Sequence, residues 1–283
     1  MNQELIKKIS EDEHNYETTL KDTAKRIVED ERIKLVLITG GSCAGKTTTT
    51  RKLKELIDLS GRIAHTVSLD DYYRNLDESV YLPDGTHDIE SINSLRADLI
   101  RQTFSDLLGG NEAVIPMFDF KTKKRIDDYR RITLKKGDLV IIEGLHALNL
   151  ELFEKAPENQ EIFRIYLYAQ ANDGSDCRFV RRMVRDSRHR NASAEHTYTL
   201  WDNVKLNERV AIEPFRKYAD VEINTFFPYE RSILNDDGIA ILSTVKEDSV
   251  HYENAQELIK VLESFPQISD EYIPENSLLR EFI

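Results

Sequence analysis

Within the 283-residue chain, one stretch has the residue types and spacing to hold phosphate. Gly40, Gly41, Ser42, Cys43, Ala44, Gly45, Lys46 and Thr47 fit G-x-x-x-x-G-K-[ST] at every fixed position. A phosphate chain needs several backbone N–H donors turned inward. Only residues with little or no side chain let the backbone come that close. Gly40 and Gly45 allow the tight turns, and the start of a following helix adds its positive end. Lys46 would reach the β- and γ-phosphates, Thr47 would offer its hydroxyl to Mg²⁺, and Thr48 extends the same turn. The alternative is a chance match in a glycine-rich loop. The flanking pattern weighs against it, because an apolar run precedes the loop and helical spacing follows it.

Acids stand where such a loop could use them. Asp70 and Asp71 follow the stretch RIAHTVSL, and Glu143 closes the apolar run DLVIIE. A carboxylate at the end of a strand can accept the proton of an attacking hydroxyl or help to hold Mg²⁺. Asp70, first after its strand, reads as the catalytic acid. For Asp71 a helix cap and a catalytic role are equally good readings.

Two further groups carry potential chemistry. Phe118 and Phe120 bracket Asp119 and lead into Lys121, Lys123, Lys124 and Arg125. This reads either as a basic surface hairpin or as a wall that stacks on a planar ring with cations near phosphate. Residues 178–190 hold six arginines and one acid, with Arg178, Arg181, Arg182 and Arg185 at i, i+3, i+4 and i+7. A solvated helix face is the plain reading. The sharper one, preferred in so acidic a chain, is a mobile lid that closes over a polyphosphate and excludes water.

The elements that must position these residues follow from periodicity. Ile33 to Ile38 is a buried strand, and Leu53, Leu56, Ile57 and Leu59 give a helix after the loop. Strands are expected at 62–69, 113–116, 138–146, 161–169 and 219–224. Helices are expected from Ile92 to near Gly109, over 195–217 and over 255–262. Pro83-Asp84-Gly85 signals a turn. The apolar run Ile239 to Val245 suggests another strand, with Asn235 to Gly238 as the turn before it. Residues 1–32 read as one or two helices whose apolar patches serve packing or an oligomer contact.

Composition limits the partners. Lys plus Arg number 39 against 51 Asp plus Glu, a net charge of −12, which argues against a broad nucleic-acid surface. Two cysteines, Cys43 and Cys177, make neither a disulfide framework nor a zinc spacing. No run of 18 apolar residues and no signal-peptide core is present, so the expected location is cytoplasmic, with no membrane partner.

Taken together, the motifs GGSCAGKTT, LDDYYR, PMFDFKTKKR, IIEGLHAL, RFVRRMVRDSRHR and ADVEIN occur in one order. In this the chain resembles the uridine kinase branch of the uridine kinase/phosphoribulokinase family, over about Ile33 to Asn224, and more nearly a bacterial subgroup of it. The resemblance implies an α/β P-loop NTPase fold, a mainly parallel sheet flanked by helices. It adds an arginine-rich helical lid at about 174–195 and a small β-hairpin insertion on the substrate side. The domains it implies are a helical extension over 1–32, a kinase domain over 33–250, and a C-terminal helix and tail over 251–283.

The roles it implies are as follows. Asp70 is the general base, and Lys46 the phosphate lysine. Thr47, Asp70 and Glu143 form the Mg²⁺ shell. Asp88 holds the ribose hydroxyls, at a spacing shifted by about two residues. Phe118 and Phe120 flank the base, Arg182 lies on the substrate side, and Arg185 and Arg190 are lid arginines on the nucleotide phosphates. There are departures too. Phe118 replaces a Tyr, Lys123 a base-reading His, Ala192 a lid Arg, and Leu200 a Gln that touches substrate.

The function expected is ATP- or GTP-dependent, Mg²⁺-requiring phosphorylation of a pyrimidine nucleoside at its 5′-hydroxyl. The alternatives are a kinase of another small alcohol, such as a sugar phosphate or a pantothenate-like acid, and a nucleotide-binding regulator without catalysis. The resemblance also inclines toward a homo-oligomer.

Overall fold

Alternation along the first apolar run sets up a sheet covered on both faces. Leu35 and Leu37 face one side of β1 (Leu35–Gly40), Val36 and Ile38 the other, and all four are fully buried. The computed structural model describes residues 3–78, 80–81, 85, 88, 90–153 and 158–283. Its central sheet also contains β2 (Ala64–Ser68), β5 (Leu139–Glu143), β6 (Ile162–Tyr168) and β7 (Val221–Asn224). They lie in the order β2-β5-β1-β6-β7, with every pair parallel. Both neighbours of β1 therefore come from later in the chain, and ligands of open α/β sheets sit at such a reversal of strand order.

Two cores flank the sheet. On one face pack α1 (Gln3–Glu29), α2 (Lys46–Leu59) and α6 (Glu230–Leu242), with the chain's last residues. On the other lie α3 (Ala97–Leu108) and a hairpin of β3 (Ala113–Asp119) and β4 (Lys124–Ile132). The hairpin register shifts between Ile115 and Met117, at Pro116, which has no N–H for the ladder. A third cluster joins α4 (Arg178–Arg190), α5 (Ala194–Asn207), α6 and α7 (Tyr252–Glu263).

Several sequence expectations are decided or corrected here. Residues 3–29 form one helix, with Ile9, Tyr16, Leu20, Ala24 and Ile27 buried against the chain's own core. The segment from Ile92 begins as a 3₁₀ turn, Ile92–Ser94. Leu95 then bridges to Tyr73, and α3 starts only at Ala97. The stretch expected to run helically over 195–217 ends as an α-helix at Asn207 and continues as a π turn and a 3₁₀ helix. The Pro83 and Asp84 of the expected turn lie outside the described residues.

The clearest correction is the strand expected from Ile239. Residues 230–242 are helical, and the expected turn at Asn235 to Gly238 is helix interior. Gly238 is there for packing. A Cβ on it would lie 2.8 Å from Leu262 Cδ1, so the glycine lets α7 approach α6 closely. Gly238→Val is therefore expected to lower stability by about 1–3 kcal/mol through overpacking, read as a drop in the denaturation midpoint.

Candidate functional site

The loop after β1 turns at Gly45, whose φ of +76° suits glycine, and α2 begins at Lys46. Among the described residues, the amides of Lys46, Thr47 and Thr48 make no hydrogen bond, as expected of a helix N-terminus. They form an anion cradle with no other claim on it. Lys46 Nζ folds back on the loop, donating to Gly40 O at 2.9 Å and Gly41 O at 3.0 Å.

The outer side of the loop is gripped from α4 and the end of β7. Arg178 Nη1 donates to Ser42 O at 3.3 Å and Arg181 Nη1 to Cys43 O at 3.2 Å, while Thr225 Oγ1 donates to Ala44 O at 3.1 Å. Three successive carbonyls are thus held outward. The arginine face of α4 therefore departs from the expected polyphosphate lid over its first half. Arg178 pairs with Asp176 and Glu208, and Arg181, fully buried, pairs with Glu230. Met183 and Val184 anchor the helix in the core.

Its second half carries the remaining cations. Arg182, Arg185 and Arg190 all lie within 3.5 Å of one carboxylate, that of buried Asp186. Three guanidiniums around one acid leave a local positive excess. Arg182 Nη1 also reaches Ser42 Oγ at 3.0 Å, and the Arg190 guanidinium sits 5.5 Å from the Phe120 ring centre.

On the other side of the loop stand the acids. Ser68, the last residue of β2, caps the turn that carries Asp70 and donates its hydroxyl to Glu143 Oε1 at 2.6 Å. Burial pushes the Glu143 carboxyl up to about 7. The Asp70 charge nearby adds to this, and Lys46 opposes it. Asp71 lies inside the 3₁₀ turn Leu69–Tyr72, whose cap is Ser68, so it is not a helix cap. Its Oδ1 accepts the Phe118 amide at 3.3 Å and ties the hairpin to this turn, with its pKa raised by burial.

Among the described residues no three His, Cys, Asp or Glu side chains gather as a metal site. Two carboxylates beside a phosphate cradle nevertheless fit Mg²⁺, which keeps waters and takes its other ligands from substrate phosphates. Thr47, Asp70 and Glu143 remain the residues that would hold it.

Asp88, expected to hold the ribose hydroxyls, lies two residues before a second acid, Glu90. Asp88 Oδ1 accepts the amides of Glu90 and Ser91, at 3.3 and 3.0 Å, and so acts as a local cap. Glu90 instead meets Arg182 at 3.2 Å, with its pKa raised by burial and drawn back by that arginine. The Glu90 carbonyl accepts Asn207 Nδ2 at 2.7 Å and bonds His146 Nε2 at 2.9 Å, and neither residue was expected at the site.

The rings of Tyr73, Phe118 and Phe120 pack edge to face or tilted, with centres 5.1–5.9 Å apart. Lys123 lies exposed at the hairpin tip with φ of +54°, and Arg125 is buried on Tyr73 O and Asp127 rather than directed at phosphate.

A sequence profile of the phosphoribulokinase / uridine kinase family matches residues 35–228. Uridine-cytidine kinase 2-B of Danio rerio is 29% identical over 215 residues, 73% of this chain and 78% of that protein. A uridine kinase of Halobacterium salinarum is 28% identical over 187 residues, 66% of this chain and 77% of its own. Among solved structures, one described as a possible uridine kinase from Bacillus stearothermophilus is similar. It shares 18% identity at a TM-score of 0.44, over 68% of this chain and 89% of that one. No helix among the described residues is long and apolar enough to cross a membrane.

Proposed function

Because the chain belongs to the phosphoribulokinase / uridine kinase family, and is a phosphotransferase acting on an alcohol group, we propose that it phosphorylates the 5′-hydroxyl of a pyrimidine nucleoside. The donor in this reading is ATP or GTP. The observation that carries it is the placing of Asp70 and Glu143 beside a phosphate loop whose helix amides are open to an anion.

Asp70 accepts the acceptor's hydroxyl proton and orients the oxygen for in-line attack. Lys46 and the loop amides stabilise the charge of the transferring group. Mg²⁺ held by Thr47, Asp70 and Glu143 would neutralise phosphate charge when bound. Arg185 and Arg190 supply cations on the donor side, where the end of α4 serves as the lid. Glu90 with Arg182 holds acceptor hydroxyls, with Asp88 behind it as a cap. Phe118, Phe120 and Tyr73 give the base an aromatic wall.

The test is a panel of uridine, cytidine, adenosine, ribose phosphates and pantothenate, with ATP or GTP and Mg²⁺, read by nucleoside diphosphate release. Uridine or cytidine is expected to give the highest kcat/KM, with turnover lost in EDTA and restored by Mg²⁺. A clear preference for a sugar phosphate or pantothenate would overturn the acceptor assignment. Nucleotide binding without turnover on any acceptor would favour a regulator.

A further inference from the structure

Adjacent residues at the end of α5 reach the two halves of the site. Asn207 donates to the carbonyl of Glu90, in the loop assigned to the acceptor. Glu208 accepts the amide of Ser42, in the phosphate loop, at 3.0 Å. We propose that Asn207 and Glu208 are positioning residues that fix the donor loop relative to the acceptor loop. The acceptor half of this proposal rests on the reading of Glu90 given above.

Three observations support it. The first is local backbone. Residues Glu208–Ile212 form a π turn, with the Glu213 amide bonded to Glu208 O. Such insertions change the direction of a helix face and recur at functional sites. Asn207 and Glu208 themselves keep regular helical backbone angles, and the widened turn redirects the chain just beyond them.

The second is the grip on the backbone of one residue. Glu208 holds the Ser42 N–H while Arg178 holds the Ser42 carbonyl. The two side chains are joined by bonds of 2.5 and 2.8 Å, and both are buried. A bidentate pair of this kind is fixed in orientation as well as distance. The two peptide groups that flank the Ser42 Cα are thereby held, one by each side chain.

The third is the residue beside it. A Cβ on Gly41 would lie 2.2 Å from Glu208 Oε1 and 1.7 Å from Arg178 Nη1. The second glycine of the loop is thus explained by this ion pair and needs no appeal to phosphate. Arg182 closes the circuit, since one nitrogen bonds both Ser42 Oγ and Glu90 Oε1. Ser42 and Glu90 are therefore linked twice, once through a side chain and once through the Asn207–Glu208 backbone.

The consequence is geometric. Phosphoryl transfer depends on the reacting oxygen and phosphorus being held in line, and a misplacement near 1 Å costs on the order of 100-fold. Glu208→Ala is expected to lower kcat about 10- to 100-fold while the affinity for a non-hydrolysable ATP analogue with Mg²⁺ changes less than about 3-fold. Glu208→Gln keeps an oxygen for the Ser42 amide and is expected to recover most of the rate with an unshifted pH profile. Asn207→Ala, at a half-buried position, is expected to cost kcat about 10-fold and to be non-additive with Glu208→Ala.

Folded Glu208→Ala protein with wild-type kcat would overturn the proposal. So would a displaced pH–rate profile in Glu208→Gln, which would give Glu208 a chemical role instead. If the wild type phosphorylates no acceptor, the functional reading fails, and amide exchange at Ser42 still decides this one. Exchange is expected to speed at least about 10-fold in Glu208→Ala and not in Glu208→Gln, and an unchanged rate in both would refute the grip.

Discussion

Asp70→Asn is expected to lower kcat by at least about 100-fold, the scale set by a positioned general base. The variant removes the proton acceptor and keeps the shape. The turn should survive, because it is capped by Ser68 through the Asp70 backbone amide and does not depend on the Asp70 side chain. The loss should therefore fall on kcat, with the denaturation midpoint nearly unchanged. Asp71→Asn gives the contrast. Asp71 is engaged by the Phe118 amide, so its effect should be on hairpin placement and acceptor KM. Near-normal turnover in Asp70→Asn would remove the base from the mechanism.

Glu230→Ala is expected to cost about 3–5 kcal/mol of stability, because it strands a buried charge. Arg181 is fully buried and donates to both oxygens of Glu230, at 3.1 and 2.5 Å. The same carboxylate accepts the Phe227 amide. The lost partner is not replaced, since Cys43 O, Thr225 O and Thr225 Oγ1, the other acceptors on Arg181, are all neutral. The half-exposed pair Arg216–Glu222 offers a scale, and its removal should cost about 1 kcal/mol or less. Urea denaturation of both variants measures the difference. A Glu230→Ala loss below about 1 kcal/mol would mean that the pair is dispensable.

The strand, loop and helix around Gly40–Thr47 were legible because each rests on local pattern: an apolar run, a fixed motif, a helical stripe. Glu143 at a strand end was legible on the same ground. What the arginines do was not. Arg178 finds one of its two acids 30 residues away and Arg181 finds its own 49 away, and no local signal marks these long-range pairs. A charge run looks the same in sequence whether it meets phosphate, water or buried carboxylates. Ile239 to Val245 failed for a related reason. A short apolar run fits strand or helix equally, and the deciding contact, Gly238 against Leu262, comes from another helix. Asp88 and Glu90 differ by only two residues, and only the fold shows which of them faces Arg182.

Residues from outside the family-matched stretch meet on the first turns of α2. Glu281 accepts the Thr48 hydroxyl at 2.7 Å, Tyr16 bonds the Thr49 hydroxyl at 2.7 Å, and Glu17 pairs with Lys52. Ser277 also bonds Glu13, across 264 positions. The order of synthesis therefore differs from the order of completion. The phosphate loop leaves the ribosome well before residue 281, and until that residue has emerged its helix lacks part of its support. Closing so long a loop is slow more than it is costly, since the entropy grows only with the logarithm of length. Between those two points a nascent chain carries the whole nucleotide motif without all the contacts that seat it.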